Sequence, residues 1–152
     1  MEELMEYRQR FLDTLAAAPG GLRAASAAIA DAHKPLEEGG WNLHQIVFHL
    51  RDVNAQVYLP RLHRIVDEND PVFENFDGEA WMAAHYDANA PLSAMLDEFS
   101  AQCADAAAWL RRLPAETWNR PGTHPAFGTH TLQWWAERAL AHIAEHLQTL
   151  QN

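Results

Sequence analysis

Apolar residues recur along this chain at intervals of three and four, and clean apolar/polar alternation is nearly absent, so the pattern predicts an all-α protein. A first helix begins near Glu2 and carries Tyr7, Phe11 and Leu15. The Pro19-Gly20-Gly21 cluster is expected to interrupt it, with a second piece from about Leu22 to Ala32. His33-Lys34-Pro35 and Gly39-Gly40 then read as a loop. Asn42 is placed to cap the next helix, with Gln45 three residues on completing a capping box. Ile46, Leu50, Val53, Val57, Leu62 and Ile65 form its apolar face, Pro60 should kink it, and it fades at Asp67-Glu68-Asn69.

The stretch from Asp70 to Ala90 reads as a long connection with a short helix around Glu79 to His85. A third principal helix follows Pro91 with the stripe Leu92, Leu96, Phe99, Cys103, Ala106, Leu110 and Leu113. Pro114 to Thr129 reads as a loop. Thr131 then caps a last helix with the stripe Leu132, Ala136, Ala139, Ile143, Leu147 and Leu150. Four helices sharing one core predict a four-helix bundle in a single domain spanning residues 1–152. The Asp70–Ala90 connection is long enough to cross the bundle, which allows an up-down-down-up order with the second and last principal helices antiparallel.

Composition narrows the partners. Of 152 residues, 21 are acidic and 11 basic, giving a formal net charge of −10 that repels phosphate backbones and gives no attraction to anionic lipid. No segment approaches the ~18 apolar residues of a membrane span. The start, MEELMEYRQR, lacks the basic and apolar regions of a secretory signal. The single cysteine, Cys103, agrees with a reducing compartment. The expectation is a cytoplasmic protein acting on a small molecule, with neither nucleic acid nor membrane as partner.

Nine histidines is a high count for this length. His142 and His146 lie four residues apart, one turn apart on one helix face, and each immediately precedes a core residue, Ile143 or Leu147. His49 stands in the same relation to Leu50. It falls roughly 10 Å into its helix, and the pair falls roughly 12 and 6 Å from the end of theirs, so antiparallel helices would bring all three level. Three neutral imidazoles suit Zn, Ni, Fe or Mn and leave a coordination position open. The competing reading is that each is an ordinary core-edge histidine, since H-x-x-x-H also arises by chance, and spacing alone leaves both open.

His142 to His146 also spells H-x-x-E-H, a metalloprotease signature. So few residues follow it that a protease is not expected, and Glu145 reads as a solvated residue or one that supports a ligand from outside. Asp52, three residues after His49, either orients a ligand or bound water or is a salt-bridged helix carboxylate. Cys103 reads as a buried apolar residue, His44 as exposed in the first turn of its helix, and His63 and His85 as surface or linker residues. His124 and His130 read as exposed loop residues, the alternative being that they line a site mouth. Trp134 and Trp135 read as core packing, although Trp135 could wall a pocket.

Several runs together resemble the DinB family in its YfiT-like branch. They are Trp41-Asn42-Leu43-His44-Gln45-Ile46-Val47-Phe48-His49-Leu50-Arg51-Asp52, Arg61-Leu62-His63-Arg64-Ile65, Arg120-Pro121-Gly122-Thr123-His124-Pro125 with Gly128 and Thr131-Leu132, and His142-Ile143-Ala144-Glu145-His146-Leu147. The resemblance extends from about Tyr7 to Leu150. It implies a bacterial four-helix bundle of up-down-down-up topology with a divalent metal held by three histidines, which carry over onto His49, His142 and His146. It also implies an enzyme that transfers a low-molecular-weight thiol to a small electrophile, as bacillithiol S-transferases do, and it allows a homodimer. A metal-dependent hydrolase and a non-catalytic, stress-related metal-binding bundle are the alternatives.

Overall fold

The structure is a computed structural model that describes residues 1–37 and 40–152, so Gly39 of the expected loop lies outside the described residues. Helix α1 spans Glu2–Ala27, α2 Leu43–Val53, α3 Leu59–Asp67, α4 Gly78–His85, α5 Leu92–Arg111 and α6 Leu132–Gln151. Cross-helix contacts give the topology. Arg111 reaches Gln9 and Asp13 while Arg23 reaches Asp97, so α1 and α5 are antiparallel. Gln102 reaches the Arg51 carbonyl and His63 stacks on Trp109, so α2–α3 runs parallel to α5. Arg8 bonds Gln133 while Gly21 faces Leu147, so α6 runs parallel to α1 and antiparallel to α2–α3. The bundle is up-down-down-up, and a shared core joins Leu12, Leu22, Leu50, Phe99 and Ile143 from its four principal helical segments.

The expected break at Pro19 does not occur. Helix α1 continues through it and stops at Ala27, short of Ala32. Proline there removes one bond to the carbonyl four residues back, a local loss of about 3 kcal/mol. Phe11, Leu12 and Leu15 before it, and Leu22 and Ala25 after it, are all buried, and this continuous apolar face outweighs the loss.

Asn42 and Gln45 form the full capping box that starts α2. Pro60 does not end this helix either. The turn ahead of it, Asn54–Tyr58, widens to a π-helix, and α3 follows without a gap. Pro60 cannot donate to the Gln56 carbonyl, and the wider turn absorbs that missing bond. The turn buries Asn54, Val57 and Tyr58.

The Pro114–Thr129 segment is more ordered than a loop. Ala115–Asn119 is a 3-10 turn, and β1 (Pro121–His124) pairs antiparallel with β2 (Gly128–Thr131). The three-residue connection ends at Gly128, whose φ of +80° is the left-handed geometry such hairpins use. Gly122 is required for a different reason. A Cβ there would sit 2.8 Å from Ile65 and Phe73, and its carbonyl accepts the Trp135 indole N–H at 3.1 Å. The hairpin also exchanges backbone bonds with Pro71 and Phe73, and Leu132 bonds back to Arg120. It is thereby clamped between the α3–α4 connection and the start of α6, which Thr131 caps. No described helix is long and apolar enough to cross a membrane.

Candidate metal centre

Antiparallel α2 and α6 bring His49 level with His142 and His146. The ring centroids are 5.0 Å apart for His49–His142 and His49–His146, and 4.8 Å for His142–His146. One nitrogen from each ring lies within 4.8 Å of the others, and the Nε2 atoms of His49 and His142 face each other at 3.0 Å. All three rings are partly buried.

This arrangement fits a divalent ion. Metal–nitrogen bonds of about 2.0–2.1 Å set neighbouring donors about 3.3 Å apart in a tetrahedral site, close to the 3.0 Å between His49 and His142 and inside the 4.8 Å that bounds the whole set. Desolvation, reinforced by the positive charge that His146 would carry, holds His49 down to about 4. Desolvation followed by the other two histidines and Arg138 holds His142 down to about 3. His146 is lowered by burial as well. The rings are therefore neutral at pH 7; without a metal one of the two facing Nε2 atoms donates to the other, and a change of tautomer frees both to ligate. Among the described residues no cysteine or carboxylate joins the cluster, so the donor set is three imidazoles.

The surroundings are built from elements the chain brings in from afar. Trp41, just before α2, meets His49 edge-on at 4.9 Å and lies parallel to His146 at 6.4 Å. Gly78 opens α4 directly over His49, and a Cβ there would lie 3.5 Å from the ring. Asp52 touches neither histidine nitrogen. One of its oxygens accepts from Arg51 Nε at 2.9 Å and the other from Trp81 Nε1 at 2.7 Å. It acts on His49 through its field, opposing the desolvation that disfavours positive charge there. It also ties α4 to α2.

A cavity of about 240 Å³ adjoins His49 and His142. Val53, Val57, Tyr58 and Phe76 give it an apolar side, and Arg61, Arg138 and His124 a polar one. His124 is not the exposed loop residue its setting suggested. It is 2% exposed at the end of β1, and its Nδ1 accepts the backbone N–H groups of Ala126 at 3.0 Å and Phe127 at 3.3 Å. His130 is half-buried beside it, stacked on Trp134 at 3.7 Å and donating to the Phe127 carbonyl.

His44 is 1% exposed, contrary to expectation, because the α4–α5 connection folds over it: its Nε2 donates to the Ala90 carbonyl and its Nδ1 accepts from Tyr86, both at 2.7 Å. His63 and His85 are exposed and stack on Trp109 and Trp81. Glu145 is exposed. Cys103 is buried in the core, as expected. Trp135 is fully buried against Phe73, a core role, and does not line the cavity. Trp41, Tyr58, Gly78, Arg61 and Arg138 are the neighbours that sequence reasoning assigned no role.

Comparison with known proteins agrees with this architecture. A protein of Oceanobacillus iheyensis described as a candidate metal-dependent hydrolase is 30% identical over 112 residues, covering 69% of this chain. The match spans 64% of that protein's own length. YfiT of Bacillus subtilis, described likewise, is 26% identical over 92% of this chain and 84% of its own. Its solved structure, an unusual four-helix bundle, superposes with a TM-score of 0.79 over 95% of this chain and 86% of that one. A second four-helix bundle, TT2238, shares the fold at a TM-score of 0.61 and 24% identity, covering 95% of this chain and 98% of that one. The profile of the DinB superfamily matches residues 22–150, so the chain belongs to that superfamily.

Proposed function

We propose that this protein is a metal-dependent enzyme for a small molecule, and that its reaction is a hydrolysis. His49, His142 and His146 would hold the metal. The observation that carries the reading is the convergence of three neutral imidazole donors, with no fourth donor among the described residues, beside a cavity large enough for a reactant. When bound, a divalent ion supplies Lewis acidity and brings the pKa of water toward ~7. The description of the Oceanobacillus and Bacillus relatives supports the same chemistry.

The chain's own groups contribute in ways the geometry supports. Val53, Val57 and Phe76 exclude bulk water from one side of the cavity, which strengthens every electrostatic contact inside it. Burial raises the Tyr58 pKa against the opposing pull of Arg138 and Arg61, so its hydroxyl stays protonated at neutral pH. It sits 5.4 Å, centroid to centroid, from His142 and can donate to an oxygen that gains charge during the reaction. Asp52 favours positive charge at His49, the polarity that a bound cation requires. Trp41 and Gly78 fix the His49 ring from two sides.

Thiol transfer is the second reading. It rests on the resemblance of the Trp41–Asp52 and His142–Leu147 runs to the YfiT-like branch, whose wider superfamily includes thiol-using enzymes, and the same open position would favour a thiolate as readily as hydroxide. The test is a paired screen with zinc-, nickel- and manganese-loaded protein. Cleavage of small esters or amides without added thiol, abolished by chelation and in His142→Ala, is the expected result. Conjugation that requires a thiol would transfer the assignment to the second reading. Equal activity before and after chelation would overturn both.

A further inference from the structure

The cavity beside the three histidines has a charge that the rest of the protein does not. The chain carries a formal net charge of −10, yet no aspartate or glutamate lines this cavity, while Arg61 and Arg138 both do. Among the described residues neither arginine forms an ion pair, which is also true of Arg8, Arg112 and Arg120, whereas Arg10, Arg23, Arg51, Arg64 and Arg111 each have a carboxylate partner; what sets Arg61 and Arg138 apart is that both line one cavity. Arg61 gives one bond to the Glu74 carbonyl at 2.9 Å and lies over the rings of Phe73 and Trp135 at 5.4 and 5.7 Å. Arg138 lies over Phe127 at 5.3 Å and reaches the Tyr58 hydroxyl, whose pKa burial raises and this arginine pulls down. A guanidinium has five N–H donors in a fixed fork, so most of this capacity is unused. Partly burying a cation without a counter-charge is unfavourable, and such an arrangement points to an anion supplied from outside.

His124 adds a neutral donor of fixed direction. Two backbone amides donate to its Nδ1, which must therefore be the unprotonated nitrogen. The proton resides on Nε2, and among the described residues no protein acceptor bonds that atom. Two cationic forks and one N–H thus line the same cavity of about 240 Å³, the volume of about eight water molecules at ~30 Å³ each.

We infer that this cavity is an oxyanion subsite, in which Arg138, Arg61 and His124 hold a carboxylate or phosphate group of the substrate next to the three histidines. The inference rests on the proposed reading of the cavity as the substrate site and adds the chemical class of that substrate. A small acid is expected, anchored by its anionic end and presenting the reacting bond toward His49 and His142. Lining of one sign inside an acidic protein would also concentrate anions locally against the overall repulsion.

The test uses metal-free protein, so that an anion cannot be retained by a cation. Acetate, inorganic phosphate and the neutral acetamide are titrated by calorimetry, and the Arg Nε–H resonances are followed by NMR. Saturable binding of acetate or phosphate near ~1 mM is expected for two charge-assisted contacts. It should move the Arg61 and Arg138 resonances, weaken at least tenfold in Arg138→Gln, and be partly restored in Arg138→Lys. Acetate without phosphate would assign a carboxylate, and phosphate without acetate a phosphate ester. Arg61→Gln should weaken binding similarly. Because Arg61 also holds the Glu74 carbonyl, the Arg138 pair decides the matter if that variant fails to fold. Acetamide binding as tightly as acetate, undiminished binding in Arg138→Gln, or no saturation up to about 0.1 M would overturn the subsite. Zinc uptake measured on the same preparations separates the two readings. Normal uptake without anion binding sinks only this inference, and anion binding without zinc uptake sinks only the metal reading.

Discussion

His44 and His49 stand five residues apart on α2. At His44 each ring nitrogen has a protein partner, Tyr86 on one side and the Ala90 carbonyl on the other, and His33 stacks on the ring at 4.6 Å. At His49 the Nε2 faces another imidazole at 3.0 Å, with His146 close by. Both are histidines on one amphipathic helix, His44 fully buried and His49 partly so. Burial alone does not separate a structural histidine from a ligand. What separates them is whether the protein itself satisfies the ring, or leaves converging lone pairs that only a proton or a cation can satisfy.

The largest difference between the two histidines is expected on substitution. His142→Ala or His49→Ala is expected to weaken zinc binding by more than about 100-fold, beyond the 10- to 100-fold typical of losing an outer partner of a ligand, while the metal-free fold persists. His44→Ala should do the reverse. It leaves zinc affinity unchanged and lowers unfolding free energy by roughly 2–4 kcal/mol, from two lost hydrogen bonds and the space left behind. Chelator competition and urea titration on the three variants read both quantities. Equal effects on both quantities would erase the distinction.

Acid should act next. His49 and His142 have folded pKa values of about 4 and about 3, below the ~6.5 of an unfolded histidine. The unfolded chain thus binds protons first as pH falls. Metal-free stability should be level above ~6.5, decline as pH drops toward 4 and 3, and level again below, by a few kcal/mol in all. His142→Ala should shrink that decline, and zinc should leave at its acid end, as pH falls through the folded pKa values of about 4 and about 3. Urea midpoints against pH in wild type and variant measure it, and an identical decline in both would contradict the assignment.

Asp52→Asn keeps the shape that receives Trp81 but removes the negative field at His49. Zinc affinity should fall about three- to tenfold, less than for any histidine variant. The smallest effect is expected at Cys103, whose thiol is pushed up to about 12 by burial, against a lowering contact from Asn54. It should resist alkylation at pH 8 until the protein unfolds, and Cys103→Ala should leave zinc binding unchanged. Rapid labelling of the native protein would refute this.

Much of this was legible in the sequence where the signal is local. Asn42 with Gln45 and Thr131 marked helix starts because the cap bonds span only three residues. The four-residue spacing of His142 and His146, and their shared relation to the apolar stripe, put them on one flank without any tertiary knowledge. The misread positions are those where distant segments decide. His44 sits in a first turn that would be exposed but for Tyr86 and Ala90. The β1–β2 strands are four residues each, too short for alternation to show, and their hairpin is stabilised by Pro71 and Phe73 from another connection. His124 was misjudged for the same reason. Pro19 misled because its local penalty is readable in the sequence, while the packing that outweighs it is spread along the whole of α1.

Extended X-ray absorption on zinc-loaded protein at neutral pH reads the donor set of the three histidines without intermediaries. One ion per chain is expected, with nitrogen scatterers at about 2.0–2.1 Å, an imidazole pattern, and no sulfur shell. Zinc held through sulfur at about 2.3 Å, or retained in a variant lacking His49, His142 and His146, would contradict it.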